Sequence, residues 1–184
     1  AASAQVASTK AQVQAAVFYL KFAKLGKKPL NHSKKSGVRR VIMRIGAVLD
    51  FEGGMLKKMK PPFIAGLGGT LGTGQQYLPW ISRHDLIEAL ITPLKNQSMR
   101  GIFNAAAPQL ITNAQFTKAF AKTLNRKAYL PAPEFLLNLL PGDMAKNIFL
   151  CDLKLDPSKL LNSGFTFKHT DITQCLQDLH KKHD

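Results

Sequence analysis

The stretch that decides the fold is Val38-Arg-Arg-Val-Ile-Met-Arg-Ile-Gly-Ala-Val-Leu49, which is rich in β-branched and other apolar residues. A near-continuous apolar run of this kind is typical of a strand buried on both faces in the middle of a parallel sheet. After it, short apolar runs alternate with helical patterns of apolar residues. Because alternating strands and helices favour a parallel sheet, we predict an α/β fold from residue 38 onward.

Cap and turn residues on the C-terminal side of this strand place the other predicted elements. Further strands are predicted over 77–81 and 101–106, with a strand fragment over 165–167. Helices are predicted over 55–60, 84–94, 114–124, 134–140, 143–150, 157–162 and 171–182, the first of them stopped by Pro61-Pro62. The candidate N-caps are His84 or Asp85, Thr112 or Asn113, and Thr170 or Asp171.

A glycine-rich loop lies between the first of these helices and the strand 77–81. Its glycines could let a ligand approach the backbone closely, but their spacing matches neither a P-loop nor a GxGxxG turn. The signal for a phosphate cradle is therefore weak. The five glycines are Gly66, Gly68, Gly69, Gly72 and Gly74.

Charge is unevenly spread along the 184 residues, whose formal net charge is +15. Ten of the 26 basic residues precede Asp50, the first acidic residue. Such a balance indicates an anionic partner. The N-terminal region is basic, rich in Ala and Ser and free of acid, a composition typical of an organellar transit region or of the mature arm behind one.

An amphipathic helix is predicted within this arm over 11–25, because Val13, Val17, Leu20 and Lys24 fall on one helical face. Two interpretations stay open: a surface helix packed on its own domain, or a basic arm that neutralises RNA phosphates or another anion. The candidate contacts to RNA or an anion are Lys21, Lys24, Lys27, Lys28, Lys34, Lys35, Arg39 and Arg40.

Other classes of protein and site are excluded by composition and spacing. No run approaches about 18 consecutive apolar residues, so no membrane span is predicted. The two cysteines, Cys151 and Cys175, fit a reducing compartment and no disulfide scaffold. No histidine stands at metal-ligand spacing from them, and we predict no metal site.

A series of motifs runs in order along roughly residues 38 to 180. The motifs are Arg44-x-Gly46-Ala-Val-Leu49, Gly53-Gly54-x-Leu56-x-x-Met59-x-Pro61-Pro62-Phe63, Gly66-Leu-Gly-Gly69-x-Leu71-Gly72-x-Gly74-Gln75, Trp80-Ile81, Asp85-Leu86, Asn104-x-x-Ala107-Pro108, Thr112-Asn113-x-x-Phe116-Thr117, Leu130-Pro131-x-Pro133 and Leu161-x-x-Gly164-Phe165-x-Phe167. This series resembles the C-terminal half of one protein family, the epimerase-family atypical short-chain dehydrogenases/reductases.

The resemblance implies a partial Rossmann-like parallel sheet over 38–128 and a small helical C-terminal domain over 129–184. The charge pattern sets residues 1–37 apart as a basic N-terminal extension. The resemblance also implies NAD(P) as the ancestral cofactor. However, the family's glycine-rich turn and Tyr-x-x-x-Lys are absent from this sequence, and Ser82-Arg83-His84-Asp85 stands where the family usually has His-x-Asp-Asp. We therefore expect no cofactor on this chain alone, and no catalytic residue is assigned.

A ligand crevice inherited from the family would involve Arg44, Gly72, Gly74, Gln75 and Trp80. Two of them have a plainer explanation: Arg44 could pair with a core carboxylate, and Trp80 could pack with Tyr77 rather than stack on a base.

Two functions remain as hypotheses. The first is a non-catalytic structural subunit of a large organellar assembly, foremost a mitochondrial ribosome, contacting other protein subunits and rRNA. The alternative is an NAD(P)-dependent epimerase/reductase, whole or as one piece of a split enzyme. The expected location is mitochondrial, with plastid or cytoplasm as alternatives.

Overall fold

The structure is a computed structural model that describes residues 39–128 and 152–182, together with the backbone of residues 16–22. The predicted helices 134–140 and 143–150 lie outside the described residues. The described strands are β1 (Ala16–Phe22), β2 (Arg39–Ile45), β3 (Ala47–Leu49), β4 (Trp80–Ser82) and β5 (Gly101–Ala105). The described helices are α1 (Gly54–Ile64), α2 (Arg83–Lys95), α3 (Asn113–Thr123), α4 (Ser158–Leu161) and α5 (Ile172–Lys181).

Both sheets of the described chain are parallel, which confirms the predicted α/β class. The larger sheet has the order β1-β2-β5, so β2 is central. Its register places Arg44 opposite Asn104 and Ile45 opposite Ala105. The smaller sheet pairs β3 with β4, with Ala47 opposite Trp80.

The prediction of a helix over 11–25 is wrong, because residues 16–22 form strand β1 beside β2. The stretch Ala-Val-Phe-Tyr-Leu-Lys-Phe is rich in aromatic and β-branched residues, which favour strands. Pairing with β2 also supplies hydrogen bonds that no pattern local to the arm could reveal. The arm therefore contributes one strand of the larger sheet.

The predicted strand over 38–49 is two strands that change sheet at Gly46. Gly46 N still donates to Ala105 O at 3.1 Å, whereas Ala47 N donates to Pro79 O at 2.7 Å. A Cβ at Gly46 would lie 2.8 Å from Pro79 O, so only glycine allows this approach. The chain thereby passes from the larger sheet to the smaller one within a single residue.

Helix boundaries differ from prediction where tertiary contacts decide them. Helix α1 continues through Pro61 and Pro62 to Ile64 and buries Leu56, Met59 and Phe63. Helix α2 is capped by Ser82, not by His84 or Asp85, because the Ser82 side chain accepts from Asp85 N. The caps Thr112 of α3 and Asp171 of α5 confirm one of each predicted pair. Residues 165–167 form no strand; Phe165 and Phe167 instead make an edge-on ring pair with centroids 4.8 Å apart.

Two apolar cores lie on either side of strand β4. Trp80 packs into the first core, which is formed largely by α1, α3 and α5. Ile81, the next residue, packs into the second core with the β2 and β5 residues Met43 and Phe103. Because successive side chains of a strand point to opposite faces, β4 contributes to both cores. Among the described residues, no helix is long and apolar enough to cross a membrane.

Candidate functional site at the sheet edge

The carboxyl ends of β2 and β5 lie side by side, which is where ligand crevices form in parallel sheets. Arg44 and Asn104 are register partners and so share one face of the sheet. Arg44 is exposed. Asn104 Nδ2 donates to Asp156 O at 2.8 Å, while Asn104 Oδ1 is buried and has no hydrogen-bond partner among the described residues. A free guanidinium beside an unpaired acceptor is a chemically competent pair for a polar, anionic ligand.

The glycine-rich loop is fixed on the N-terminus of α3. Asn113 Oδ1 accepts from Leu71 N at 2.9 Å, and Ala114 N donates to Gly74 O at 2.9 Å. Gln76 Nε2 closes the loop on itself by donating to Leu71 O at 2.8 Å. These bonds hold the loop in one conformation next to the strand that follows it.

Two of the loop's five glycines, Gly68 and Gly74, serve packing inside the chain. A Cβ at Gly68 would meet the Phe63 ring at 2.4 Å, and one at Gly74 would meet Thr70 Cγ2 at 2.9 Å. Gly72, at φ +58°, and Gln75 are exposed. The loop can therefore present a ligand with Gly72 and Gln75, whereas Gly74 is buried against its own neighbours.

Trp80 cannot stack on a ligand, which corrects that part of the predicted crevice. Its side chain is completely buried, and its Nε1 donates to Gln109 O at 3.2 Å. Tyr77 is held separately, because its N–H donates to Asp152 Oδ1 and the Lys154 Nζ lies 4.2 Å from its ring centroid. Within the described chain, no hydrogen bond joins Arg44 to the glycine-rich loop.

Arg39 is committed to its own domain rather than to an outside anion. Its Nη1 donates to Met99 O at 3.1 Å and its Nη2 to Pro93 O at 2.8 Å, near the end of α2. Arg40 is half-buried, and Lys21 lies in β1, described along its backbone only. Lys24, Lys27, Lys28, Lys34 and Lys35 lie outside the described residues, so their anion contacts stay predictions.

A buried polar cluster of Ser82, Asp85 and His169 escaped the sequence analysis. Their exposed fractions are 0%, 1% and 3%. The Asp85 carboxylate accepts from Ser82 Oγ at 2.9 Å, Lys168 N at 2.9 Å and His169 N at 3.0 Å. One side chain therefore ties the start of α2 to the segment before α5. No local motif could have shown this, since the partners are more than 80 residues apart.

This cluster resembles a hydrolytic triad in composition but cannot act as one. The Ser82 hydroxyl hydrogen goes to Asp85, so His169 Nδ1, 3.0 Å from Ser82 Oγ, must donate to that oxygen. A catalytic histidine would have to accept the serine proton instead. Burial also keeps substrates away, and the cluster is a structural clamp.

The only cysteine among the described residues, Cys175, lies near this clamp and is chemically inert. Burial raises the pKa of its thiol to about 12, and the charges of Asp85, Asp178 and Asp171 add to the effect. Its side chain is completely buried. Cys175 is therefore a protonated thiol at neutral pH.

Comparison with known proteins places this geometry in a family. The chain is 38% identical over 144 residues to an epimerase family protein of Mycobacterium tuberculosis, covering 78% of this chain and 48% of that protein. An epimerase family protein of Staphylococcus aureus is 36% identical over 146 residues, with 79% and 48% covered. Residues 132–179 match a domain of unknown function, DUF1731.

Solved structures agree with the sequence relatives. The crystal structure of human epimerase family protein SDR39U1 (isoform 2) with NADPH matches with a TM-score of 0.71 and 32% identity, over 78% of this chain and 49% of that one. The chain matches about half of an epimerase family protein. A nucleoside-diphosphate sugar epimerase of Corynebacterium glutamicum matches with a TM-score of 0.60 and 28% identity, over 78% of this chain and 26% of that one.

The chain spans about half the length of the curated relatives it matches. The comparisons support the enzymatic alternative of the sequence analysis, and nothing in them supports a mitochondrial ribosomal subunit. The predicted mitochondrial location and the rRNA partner are not tested by these matches and stay predictions.

The turn from β3 into α1 does not fit the pyrophosphate of NAD(P). The turn from β3 into α1 ends in Gly53-Gly54, but it contains Asp50 and Glu52. Both carboxylates bind Arg83 Nη1 at 2.7 Å, and the pKa of Arg83 is raised by Glu52 first and Asp50 second. Two acids at this turn would repel phosphate. That the chain alone binds no cofactor stays a prediction.

Proposed function

We propose that this chain forms the substrate-side part of an NAD(P)-dependent epimerase or reductase. The observation that carries the proposal is the match to the human relative with NADPH, at 32% identity and a TM-score of 0.71. The pairing of Arg44 with Asn104 at the carboxyl ends of β2 and β5 adds a chemical argument, because ligands of parallel α/β folds bind at that edge.

The residues at this edge suit a sugar linked to phosphate. The Arg44 guanidinium is exposed and, among the described residues, makes no hydrogen bond or ion pair. It can pair with a phosphate oxygen. Asn104 Oδ1 needs a donor, which a sugar hydroxyl provides. Gln75 can bond further hydroxyl groups from the glycine-rich loop.

The coenzyme is expected to be held by sequence other than that described. The 184 residues contain neither the glycine-rich dinucleotide turn nor a Tyr-x-x-x-Lys, and the turn before α1 is acidic. The missing groups would come from a longer form of this chain or from a partner chain. In either case Arg44 and Asn104 act on the substrate and not on the nicotinamide.

Titration of NADPH fluorescence tests whether the coenzyme is held by sequence other than this chain. The experiment compares the protein isolated from its native source with the recombinant 184-residue chain. We expect the native protein to bind NADPH in a 1:1 ratio and the recombinant chain to show no saturable binding. Saturable binding by the recombinant chain would refute that expectation. Absence of binding by both would refute the enzymatic proposal.

Substitution of Arg44 tests the substrate role separately. In NADPH-binding protein, Arg44→Ala is expected to weaken binding of a uridine-diphosphate sugar by about tenfold to a hundredfold, because a charged hydrogen bond is lost. NADPH affinity should not change. The control is Lys95→Ala, which removes an exposed charge at the end of α2. Equal effects of the two substitutions would contradict the assignment of Arg44.

A further inference from the structure

The three helices that cover the first core carry an almost purely basic outer surface. The ranges 54–64, 113–127 and 172–182 together contain nine Lys or Arg residues and one acid, Asp178. We call this surface the basic layer; its cations are Lys57, Lys58, Lys60, Lys118, Lys122, Arg126, Lys127, Lys181 and Lys182. It is separate from the basic arm, and the proposed reaction does not use it.

The three helices of the basic layer all contact Phe51, so they lie around the same part of the first core. The Phe51 ring lies 5.9 Å from the Phe120 ring of α3 and stacks on His180 of α5 at 5.2 Å. Lys60 of α1 lies with its Nζ 5.8 Å from the Phe51 ring centroid. At the other end of α1, Arg126 Nε donates to Ile64 O at 3.2 Å.

Six of the nine cations of the basic layer keep their charge uncompensated in the described part of the chain. Among the described residues, none of the lysines Lys57, Lys58, Lys118, Lys122, Lys181 and Lys182 pairs with a carboxylate. The nearby acids Asp50 and Glu52 are both bound by Arg83. A surface of uncompensated lysines repels itself and gains free energy from an anionic partner.

Two exposed apolar side chains lie next to the basic layer: Ile64 ends α1, and Leu67 lies in the glycine-rich loop that follows it. Ile64 is 46% exposed and Leu67 is 49% exposed. The aromatic rings of the layer, by contrast, are buried: Phe51, Phe63, Phe116 and Phe120 are each at most 3% exposed. Single-stranded nucleic acids bind proteins through bases stacked on accessible aromatic rings, which the basic layer does not offer. An anionic bilayer binds surfaces on which basic residues lie next to exposed aliphatic ones, as they do here.

We propose that the basic layer binds the surface of an anionic phospholipid bilayer, with Ile64 and Leu67 entering the boundary between headgroups and acyl chains. The lysines contact lipid phosphates, and the protein remains peripheral. This proposal does not depend on the coenzyme or on the sugar substrate, so it can fail while the proposed function stands.

Co-sedimentation with vesicles tests the charged part of the proposal. The full chain is mixed, at about 150 mM salt to screen weak attractions, with vesicles of phosphatidylcholine or of phosphatidylcholine plus phosphatidylglycerol. Lys58→Glu/Lys122→Glu is expected to weaken binding to the anionic vesicles by about tenfold or more. The control with the same charge change is Lys95→Glu/Arg100→Glu, which lies outside the basic layer and should lower binding far less. The arm 1–37 is the same in every variant.

A second pair of variants tests the apolar part. Ile64→Ser/Leu67→Ser should weaken binding to anionic vesicles by about fivefold, while the control Ile87→Ser/Leu110→Ser, with side chains 48% and 49% exposed, should not. Circular dichroism of each variant confirms that it is folded. Equal loss in the test and control pairs would overturn the proposal. The proposal would also be overturned, in favour of a nucleic-acid surface, if the Ile64→Ser/Leu67→Ser variant bound vesicles as well as wild type and RNA competed with the vesicles.

Discussion

Asp85 is a buried carboxylate whose charge is tolerated because hydrogen-bond donors surround it. Two backbone N–H groups and the Ser82 hydroxyl donate to its two oxygens. Desolvation of a carboxylate costs several kcal/mol unless such donors replace water. The position is therefore sensitive to any change that removes an acceptor oxygen.

Replacement of Asp85 by Asn should destabilise the protein strongly. One oxygen becomes an NH₂ group that faces a donor, so a buried N–H loses its acceptor. We expect the free energy of unfolding to fall by about 2–4 kcal/mol, measured by urea denaturation. Glu88→Gln, at an exposed position of the same helix, is the control and should change it by less than about 0.5 kcal/mol. A small effect at Asp85 would contradict the clamp.

Cys175 makes stability depend on alkaline pH. The thiol pKa is about 12 in the folded protein and 9.0 in the unfolded reference, so the protonated form is favoured by folding. Its contribution is complete below pH 9 and is lost as the pH rises towards 12. We expect wild type to lose about 1.4 kcal/mol per pH unit in this window relative to Cys175→Ala. Parallel curves of the two proteins, measured by urea denaturation, would refute this.

At the scale of elements, the sequence predicted what neighbouring residues decide. The strand 101–106, the N-cap Thr112 and the apolar faces of α3 and α5 follow from local patterns, and the structure agrees. Helix α1 continues past Pro61 because the free energy gained by burying Phe63 exceeds the cost of the hydrogen bonds that Pro61 and Pro62 cannot donate. Strand β1 depends on β2, and the burial of Trp80 depends on Gln109, neither of which a local pattern contains.

The cap of α5 distinguishes two neighbouring candidates that the sequence left open. Asp171 Oδ1 accepts from Gln174 N at 2.9 Å, and Oδ2 accepts from Gln109 Nε2 at 3.0 Å. We expect Asp171→Ala to lower the free energy of unfolding by about 1 kcal/mol or more. Thr170→Ala, at an exposed residue without a cap bond, should cost little. Thermal denaturation measures both, and the reverse order would show that the cap is misassigned.

At the scale of the whole molecule, the chain joins two cores and a sheet whose first strand comes from the N-terminal region. Strand β4 joins the cores by sending Trp80 to one and Ile81 to the other. Strand β1 covers the edge of β2 along its full length. An uncovered central strand would expose unpaired backbone groups and favour aggregation.

Deletion of residues 1–37 is therefore expected to harm folding even if the arm also binds a partner. The shortened chain should aggregate or melt at least about 5 °C lower, as size-exclusion chromatography and thermal denaturation would show. Deletion of residues 1–15 is the control, because it leaves β1 intact. A monodisperse Δ1–37 chain with an unchanged melting temperature would contradict the strand pairing.

The clamp at Asp85 also bears on how the polypeptide matures during its synthesis. The backbone amides that donate hydrogen bonds to this carboxylate belong to Lys168 and His169, 83 and 84 positions later in the chain. A nascent chain that ends before these two residues contains the Asp85 carboxylate without the N–H donors that replace water around it in the folded interior. Premature termination or proteolytic trimming at the carboxyl terminus should therefore yield products that quality-control proteases remove, although most of both cores has already been translated.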